Sequence, residues 1–437
     1  MVHRYFAFTL ATVALGGCGV GASTGSSPLV SSTSVGEIRP AAAAPASPIK
    51  HVVIISQENR SFDNIFYGFP GADTATMGLK SDGTMTPLAP VQFEDLYDPG
   101  HSFGAWQTEY DNGKMDGFDK NSPNANPTYD YAYVPRQEVQ PYFDLATQYA
   151  LADRMFQSDH ASSFPSHQYE IAGQSPYAFG SPSNSTLWGC DAPAGTTVNG
   201  IDANGKATPN VFPCFDYLTI GDVLERASHT YKVYTPAVGT IDGLLNGFDA
   251  IRHVRYGSDW PHIYQTPETN ILADAASAPL ADVTFVYPQD AVSDHALGGT
   301  SGGPQWVANV VNAIGASANW NSTAIFITWD DWGGWYDHVK PTQLDAYGLS
   351  FRVPLIVVSP YAKHGYVSHV QHEFGSLLKF VETNFGTASL NATDVRSDDL
   401  RDMFDFTQPP SSFKTIATRL KASYFIAHAH DRNVPDY

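Results

Sequence analysis

Four short runs along the chain are apolar at nearly every position and rich in β-branched residues. They are His51-Val-Val-Ile-Ile55, Val283-Thr-Phe-Val-Tyr287, Thr323-Ala-Ile-Phe-Ile-Thr328 and Val353-Pro-Leu-Ile-Val-Val358. A strand with one wet face alternates apolar and polar residues; an unbroken apolar run suits a strand covered on both faces. Between these runs lie stretches with helical spacing, at 220–227, 306–314 and 374–383. Strands alternating with helices predict an α/β fold, a mostly parallel central sheet flanked by helices. In such sheets ligands collect beyond the carboxyl ends of the strands. The residues that follow each run are therefore the first places to look for chemistry.

The N-terminal residues follow neither pattern. Arg4 gives a short basic start, and Tyr5 to Leu15 is apolar but too short to span a bilayer comfortably. Leu15-Gly16-Gly17-Cys18 follows, which resembles a bacterial lipoprotein signal, cut before the cysteine and lipidated on it. An ordinary signal peptide cut near Ala22 or later is the alternative. Residues 1–17 are thus expected to be a signal peptide. Residues 18–47, dominated by Ser, Gly, Ala and Pro, read as a disordered tether, and 48–437 as one catalytic domain. The expected place is the exported one, as a cell-envelope lipoprotein or a secreted protein, with membrane contact only through the lipid. Cys190 and Cys214 remain, and two cysteines in an exported chain predict one disulfide.

Composition narrows the partners. The hydrophobic fraction of 43% is ample for a large core, and the formal net charge is −20. That charge argues against nucleic acid, whose phosphates demand Lys and Arg. An anionic substrate would have to be attracted locally, by a metal and a few cationic groups.

Four polar clusters carry candidate chemistry. The first run leads into Ser56-Gln57-Glu58-Asn59-Arg60-Ser61-Phe62-Asp63, whose Glu58 and Asn59 offer adjacent hard oxygens, although Glu-Asn after a strand is also ordinary turn chemistry. The third leads into Asp330-Asp331-Trp332-Gly333-Gly334, then Asp337-His338. Two adjacent acids at the end of a buried strand repel each other unless a cation lies between them. The second leads to Ser293-Asp294-His295 and the glycine-rich stretch 297–303, and His101 follows a Pro-Gly turn. Between them, Ser158 to Tyr169 holds Ser162, Ser163, Ser166, His160 and His167 around Pro165. A hydroxyl there could be a nucleophile if a metal lowered its pKa, but spacing does not choose among the serines.

Taken in order, these pieces resemble the bacterial phosphoesterase family that holds the non-haemolytic type phospholipases C and a group of secreted acid phosphatases. The most specific are Glu58-Asn59-Arg60-Ser61-Phe62-Asp63, Asn112-Gly113-Lys114-Met115-Asp116-Gly117-Phe118, and Gly333-Gly334 with Asp337-His338-Val339. That family is similar to the alkaline-phosphatase superfamily in fold and mechanism. The resemblance implies metal ligands at Glu58, Asn59, Asp330 and Asp331. It implies a nucleophile at Ser163, two residues before Pro165 and close to the metal, and phosphate-side histidines at His101 and His295, with a further role at His338. The cofactor implied is a divalent ion, one of Ca, Mg, Mn or Zn. The substrate implied is a small phosphate ester or a phospholipid.

The chain departs from the phospholipase branch at several points. Ser163 replaces a typical Thr, Ser166-His167 a typical Asn-Arg, Asp330-Asp331 a typical Asp-Glu, and Ala296 a typical Pro. It also ends soon after the catalytic region. These differences lean towards the acid-phosphatase-like branch. The expected reaction is in-line attack by Ser163, a phosphoserine, and its hydrolysis by water. A phospholipase C acting on phosphatidylcholine-type diesters is the nearer alternative. A catalytically degenerate surface binding protein is the more distant one.

Overall fold

The first apolar run forms the centre of the sheet. The eight strands are β1 (His51–Gln57), β2 (Ala150–Ala152), β3 (Tyr231–Tyr234), β4 (Tyr264–Gln265), β5 (Val283–Val286), β6 (Thr323–Trp329), β7 (Leu355–Val358) and β8 (Tyr366–Ser368). Their spatial order is β8-β2-β7-β6-β1-β5-β3-β4. Only β7 runs against its neighbours; the other pairings are parallel. The mostly parallel α/β sheet expected from the sequence is the architecture observed. In this computed structural model the described residues are 47–94, 97–123, 126–183, 187–240, 243–277, 279–297 and 301–429. The expected signal peptide, Cys18 and nearly all of the expected tether lie outside them, as does 298–300 of the glycine-rich stretch.

Burial explains the unbroken apolar runs. Val52, Val53, Ile54 and Ile55 are all buried, and so is every residue of β5, β6 and β7. Successive side chains point to opposite faces of a strand, so both faces of the sheet are covered. Each fully buried Val, Ile or Phe contributes about 1.5–3 kcal/mol. The helices that cover it fall into two packed groups. Gly303–Gly315 packs on Gln140–Gln148 and Asn270–Ser277, while Phe374–Phe385 packs on Ser163–Ala172.

Two local differences from the sequence reading have simple causes. The run 353–358 becomes a strand only from Leu355, since Pro354 has no N–H to give to the ladder. The Ser158 to Tyr169 segment, given no helix by the sequence pattern, runs into a helix over Ser163–Ala172 in which Pro165 occupies the first turn, where its missing N–H has no intrahelical acceptor to lose. The predicted Cys190–Cys214 disulfide is present. Among the described residues no helix is long and apolar enough to cross a membrane.

Candidate active site

Register brings three polar clusters together. β1 lies between β5 and β6, with Ser56 opposite Thr328 and Gln57 opposite Trp329. The next residues out, Glu58 and Asp330, therefore leave the same edge side by side. The Asp330 N–H donates to the Gln57 carbonyl at 3.0 Å, and the Glu58 N–H donates to the Ser293 carbonyl at 2.7 Å. The second bond ties the Asp294-His295 loop to the same edge. Asn59 then turns with φ +57°, a left-handed conformation that Asn tolerates, and its N–H donates to Asp330 Oδ1 at 2.9 Å.

Gly333 and Gly334 hold the other side of this turn. Both have positive φ, and a Cβ on Gly333 would collide with the Asn59 carbonyl. The Gly333 N–H donates to Asp331 Oδ1 at 2.7 Å, leaving Oδ2 to accept from Ser163 Oγ at 3.3 Å. Behind the loop, Trp332 and Tyr336 pack with Phe118 and Met115, so the Asn112 to Phe118 motif serves as its backing. Trp332 Nε1 also donates to buried Glu109 at 2.7 Å.

Ser163 is the first residue of its helix and is fully buried. Its Oγ lies 3.4 Å from Asn59 Oδ1 as well as near Asp331. The two neighbouring serines are engaged elsewhere. Ser162 Oγ pairs with Ser181, while Ser166 Oγ accepts from Gln157 and donates to Asp159. Of the three serines that spacing left open, the fold brings Ser163 to the Glu58, Asn59, Asp330 and Asp331 cluster.

The Asn59 carboxamide carries information about charge. One end lies 3.0 Å from Glu58 Oε2 and 3.1 Å from Asp330 Oδ1; the other lies 2.9 Å from His101 Nε2 and 3.0 Å from His295 Nε2. Both histidines pair Nδ1 with a backbone carbonyl, His101 with Pro99 and His295 with Ala296. A carbonyl only accepts, so the neutral ring carries its proton on Nδ1 and offers Nε2 as an acceptor. Two acceptors call for the amide NH₂, which turns the amide oxygen onto two carboxylate oxygens and the serine hydroxyl. That arrangement is repulsive unless a cation sits among the oxygens. Without a cation, the carboxamide is satisfied only when turned over, with both histidines protonated.

Other buried atoms repeat the signal. Glu58 Oε1, Asp330 Oδ2 and His167 Nε2 have no hydrogen-bond partner, and one donor atom from each of these three residues lies within 4.8 Å of the others. Burial first, and the Asp330 charge second, push the Glu58 carboxyl well above its usual range. Such a set of buried oxygens fits a divalent cation. His167 was not among the expected site residues. The sequence names it within the Ser158 to Tyr169 cluster and as a departure from a family motif, without a role. Helical periodicity from Ser163 was the signal that could have found it, since residues four apart share a helix face.

His338 is not brought to this cluster. Its Nδ1 pairs with Asp63 at 2.6 Å and its Nε2 with Asp73 at 3.0 Å. Arg352 clamps neighbouring Asp337 through two bonds of 2.8 and 2.9 Å. Burial alone would lower the His338 pKa, but Asp63 and Asp337 more than offset it and raise it to about 9. The Asp-His-Val segment thus anchors the far end of the Gly333-Gly334 loop.

A model of the Phosphoesterase family matches residues 49–388. The non-hemolytic phospholipase C of Burkholderia pseudomallei (strain K96243) is 24% identical over 87% of this chain. The match spans 63% of that relative's length, so this chain corresponds to less than two thirds of it. The non-specific phospholipase C3 of Arabidopsis thaliana is 25% identical over 74% of this chain and 65% of its own length. Among solved structures, a protein in the alkaline phosphatase superfamily from Vibrio parahaemolyticus matches with a TM-score of 0.36 at 11% identity, over 81% of this chain and 71% of that one.

Proposed function

Since the chain belongs to the Phosphoesterase family, we propose that it is a metal-dependent phosphoric-ester hydrolase with Ser163 as nucleophile and a phosphate monoester as preferred substrate. The observation that carries this reading is the meeting of Ser163 Oγ with Asn59 and Asp331 at the carboxyl edge of the central strands, around oxygens that need a cation.

Glu58, Asn59, Asp330, Asp331 and Ser163 Oγ would hold one divalent ion, of the Ca, Mg, Mn or Zn class. When bound, such an ion supplies Lewis-acid charge that favours the ionised serine and the developing phosphoryl charge. Ser163 opens a helix, so the N–H groups of Ser163 and Phe164 in its first turn would add a second source of positive potential for a bound anion. Asp331 holds the Oγ in place before attack. Oγ gives up its proton to Asp331 Oδ2 or to solvent, its bond to phosphorus forms, and the bond to the leaving alcohol breaks, the alcohol taking a proton. His295 or His101, once protonated and released from Asn59 at Nε2, would supply that proton or hold a non-bridging oxygen. Water then cleaves the phosphoserine and restores the hydroxyl. Positioning supplies much of the rate, as in phosphoryl transfer generally.

The monoester preference rests on Ser163, Ser166-His167 and Ala296, where the chain departs from the phospholipase branch. A phospholipase C is the second reading, favoured by the names of the relatives. Export as a lipid-anchored or soluble protein remains part of the proposal and rests on the N-terminal pattern. The test is a panel of an aryl phosphate monoester, a bis-aryl phosphate and phosphatidylcholine vesicles, each with and without chelator. Chelator-sensitive release of inorganic phosphate from the monoester supports the reading. Diacylglycerol release from vesicles in preference would move the assignment to the second one.

A further inference from the structure

The helix that opens with Ser163 places His167 one turn later on the same face, and both side chains reach the buried cluster at the ends of β1 and β6. His167 Nε2 lies 3.1 Å from Glu58 Oε1 and 3.9 Å from Asp330 Oδ2, and all three residues are at most 1% exposed. None of these three atoms has a hydrogen-bond partner. The other ring nitrogen is not idle. Nδ1 pairs with Glu170 Oε2 at 3.2 Å, and Glu170 Oε1 accepts from Ser56 Oγ at 2.6 Å. Ser56 belongs to β1, two residues before Glu58. The imidazole is thus oriented from behind by a carboxylate that is itself fixed to the strand carrying a metal-cluster residue. A buried histidine with one nitrogen on an orienting carboxylate and the other aimed at two cluster carboxylates, Glu58 at 3.1 Å and Asp330 at 3.9 Å, has the arrangement of a metal ligand.

We propose that His167 is a nitrogen ligand of the cation through Nε2, positioned by Glu170, which makes this site a mixed nitrogen–oxygen site. The proposal rests on the metal-dependent reading above. A nitrogen donor shifts preference away from Ca²⁺ and Mg²⁺ and towards Zn²⁺ and the later transition ions.

The experiment uses the full chain, stripped of metal. Zn²⁺ and Ca²⁺ are titrated against a competing chelating dye, and Cu²⁺ is added as a spectroscopic probe for pulsed electron paramagnetic resonance. The wild type should favour Zn²⁺ over Ca²⁺ and show coupling to an imidazole nitrogen. His167→Gln should weaken Zn²⁺ binding by roughly tenfold or more, change Ca²⁺ binding far less, and lose that coupling. Glu170→Gln should keep the coupling while weakening Zn²⁺ by roughly tenfold. A Zn²⁺-soaked crystal of the wild type needs no variant and should place Nε2 about 2.0–2.1 Å from the ion. An ion with Nε2 more than about 3 Å away, or a His167→Gln protein with unchanged coupling and selectivity, overturns the ligand assignment and leaves His167 as an ion-pair partner. If the wild type binds neither ion at a site sensitive to Asp331→Asn, the metal-dependent reading itself fails.

Discussion

In the proposed mechanism the chemistry converges on Ser163. A covalent nucleophile lost to Ala costs roughly three or more orders of magnitude in kcat. Ser163→Ala should show that loss while holding metal, because the carboxylates and Asn59 remain. Ser162→Ala and Ser166→Ala remove contacts to Ser181, Gln157 and Asp159 only, and each should cost about tenfold or less in kcat. Equal losses in all three variants would mean that the segment matters for packing alone. Asp330→Ala should release the metal and most activity with it, since one carboxylate lost from a small site weakens affinity and upsets its charge balance. Full metal content in that variant would make the acidic pair a turn. At this scale the sequence was informative where a side chain follows a strand directly, as Glu58, Asn59, Asp330 and Asp331 do. It was blind where a contact depends on helix phase. His167 meets Glu58 only because 163–172 is helical, and His338 is claimed by Asp63 and Asp73, which are distant in sequence.

Among elements, the loop after β6 does the positioning. Gly333→Ala puts a methyl group into the Asn59 carbonyl and a side chain at φ +63°. The Asn59 turn must shift, so metal affinity and activity should both fall, with a lowered melting temperature. Unchanged metal binding would mean that the Asn59 geometry is not shared with this loop. The Cys190–Cys214 bridge closes a loop of 24 residues, for which chain entropy alone gives about 3 kcal/mol. Cys190→Ser with Cys214→Ser should lower stability by about that much, and two free thiols in the matured protein would contradict the bridge. Strands were legible as elements where they lie in an unbroken apolar, β-branched run, as β1, β5, β6 and β7 do, even though β5 and β7 have four residues each. β2, β3, β4 and β8 lie in no such run, and their pairing is decided by the neighbouring strand.

Across the whole molecule, buried ionisable groups set how stability answers to pH. Burial holds the Asp130 carboxyl at about 8 and the Asp249 carboxyl at about 7. A raised carboxyl favours the folded state while it stays protonated. That contribution falls as pH rises above the unfolded value near 4 and levels off past the folded one. His338, despite the downward pull of burial, is held by Asp63 at about 9; its contribution is full below about 6.5 and is lost as pH passes through 9. All three slopes have the same sign. The melting temperature of chelator-treated protein should therefore fall steadily from pH 5 to pH 9, and a rise over that range would contradict these assignments. The claim that joins sheet, loop and helix is that Ser163 takes the phosphoryl group. Brief turnover of a slow aryl phosphate, acid quenching and peptide mass spectrometry test it directly. Phosphate on Ser163 is the predicted result. No covalent phosphate on 158–169 with any hydrolysed substrate, together with inversion at a chiral phosphorus, would contradict it and assign the attack to water.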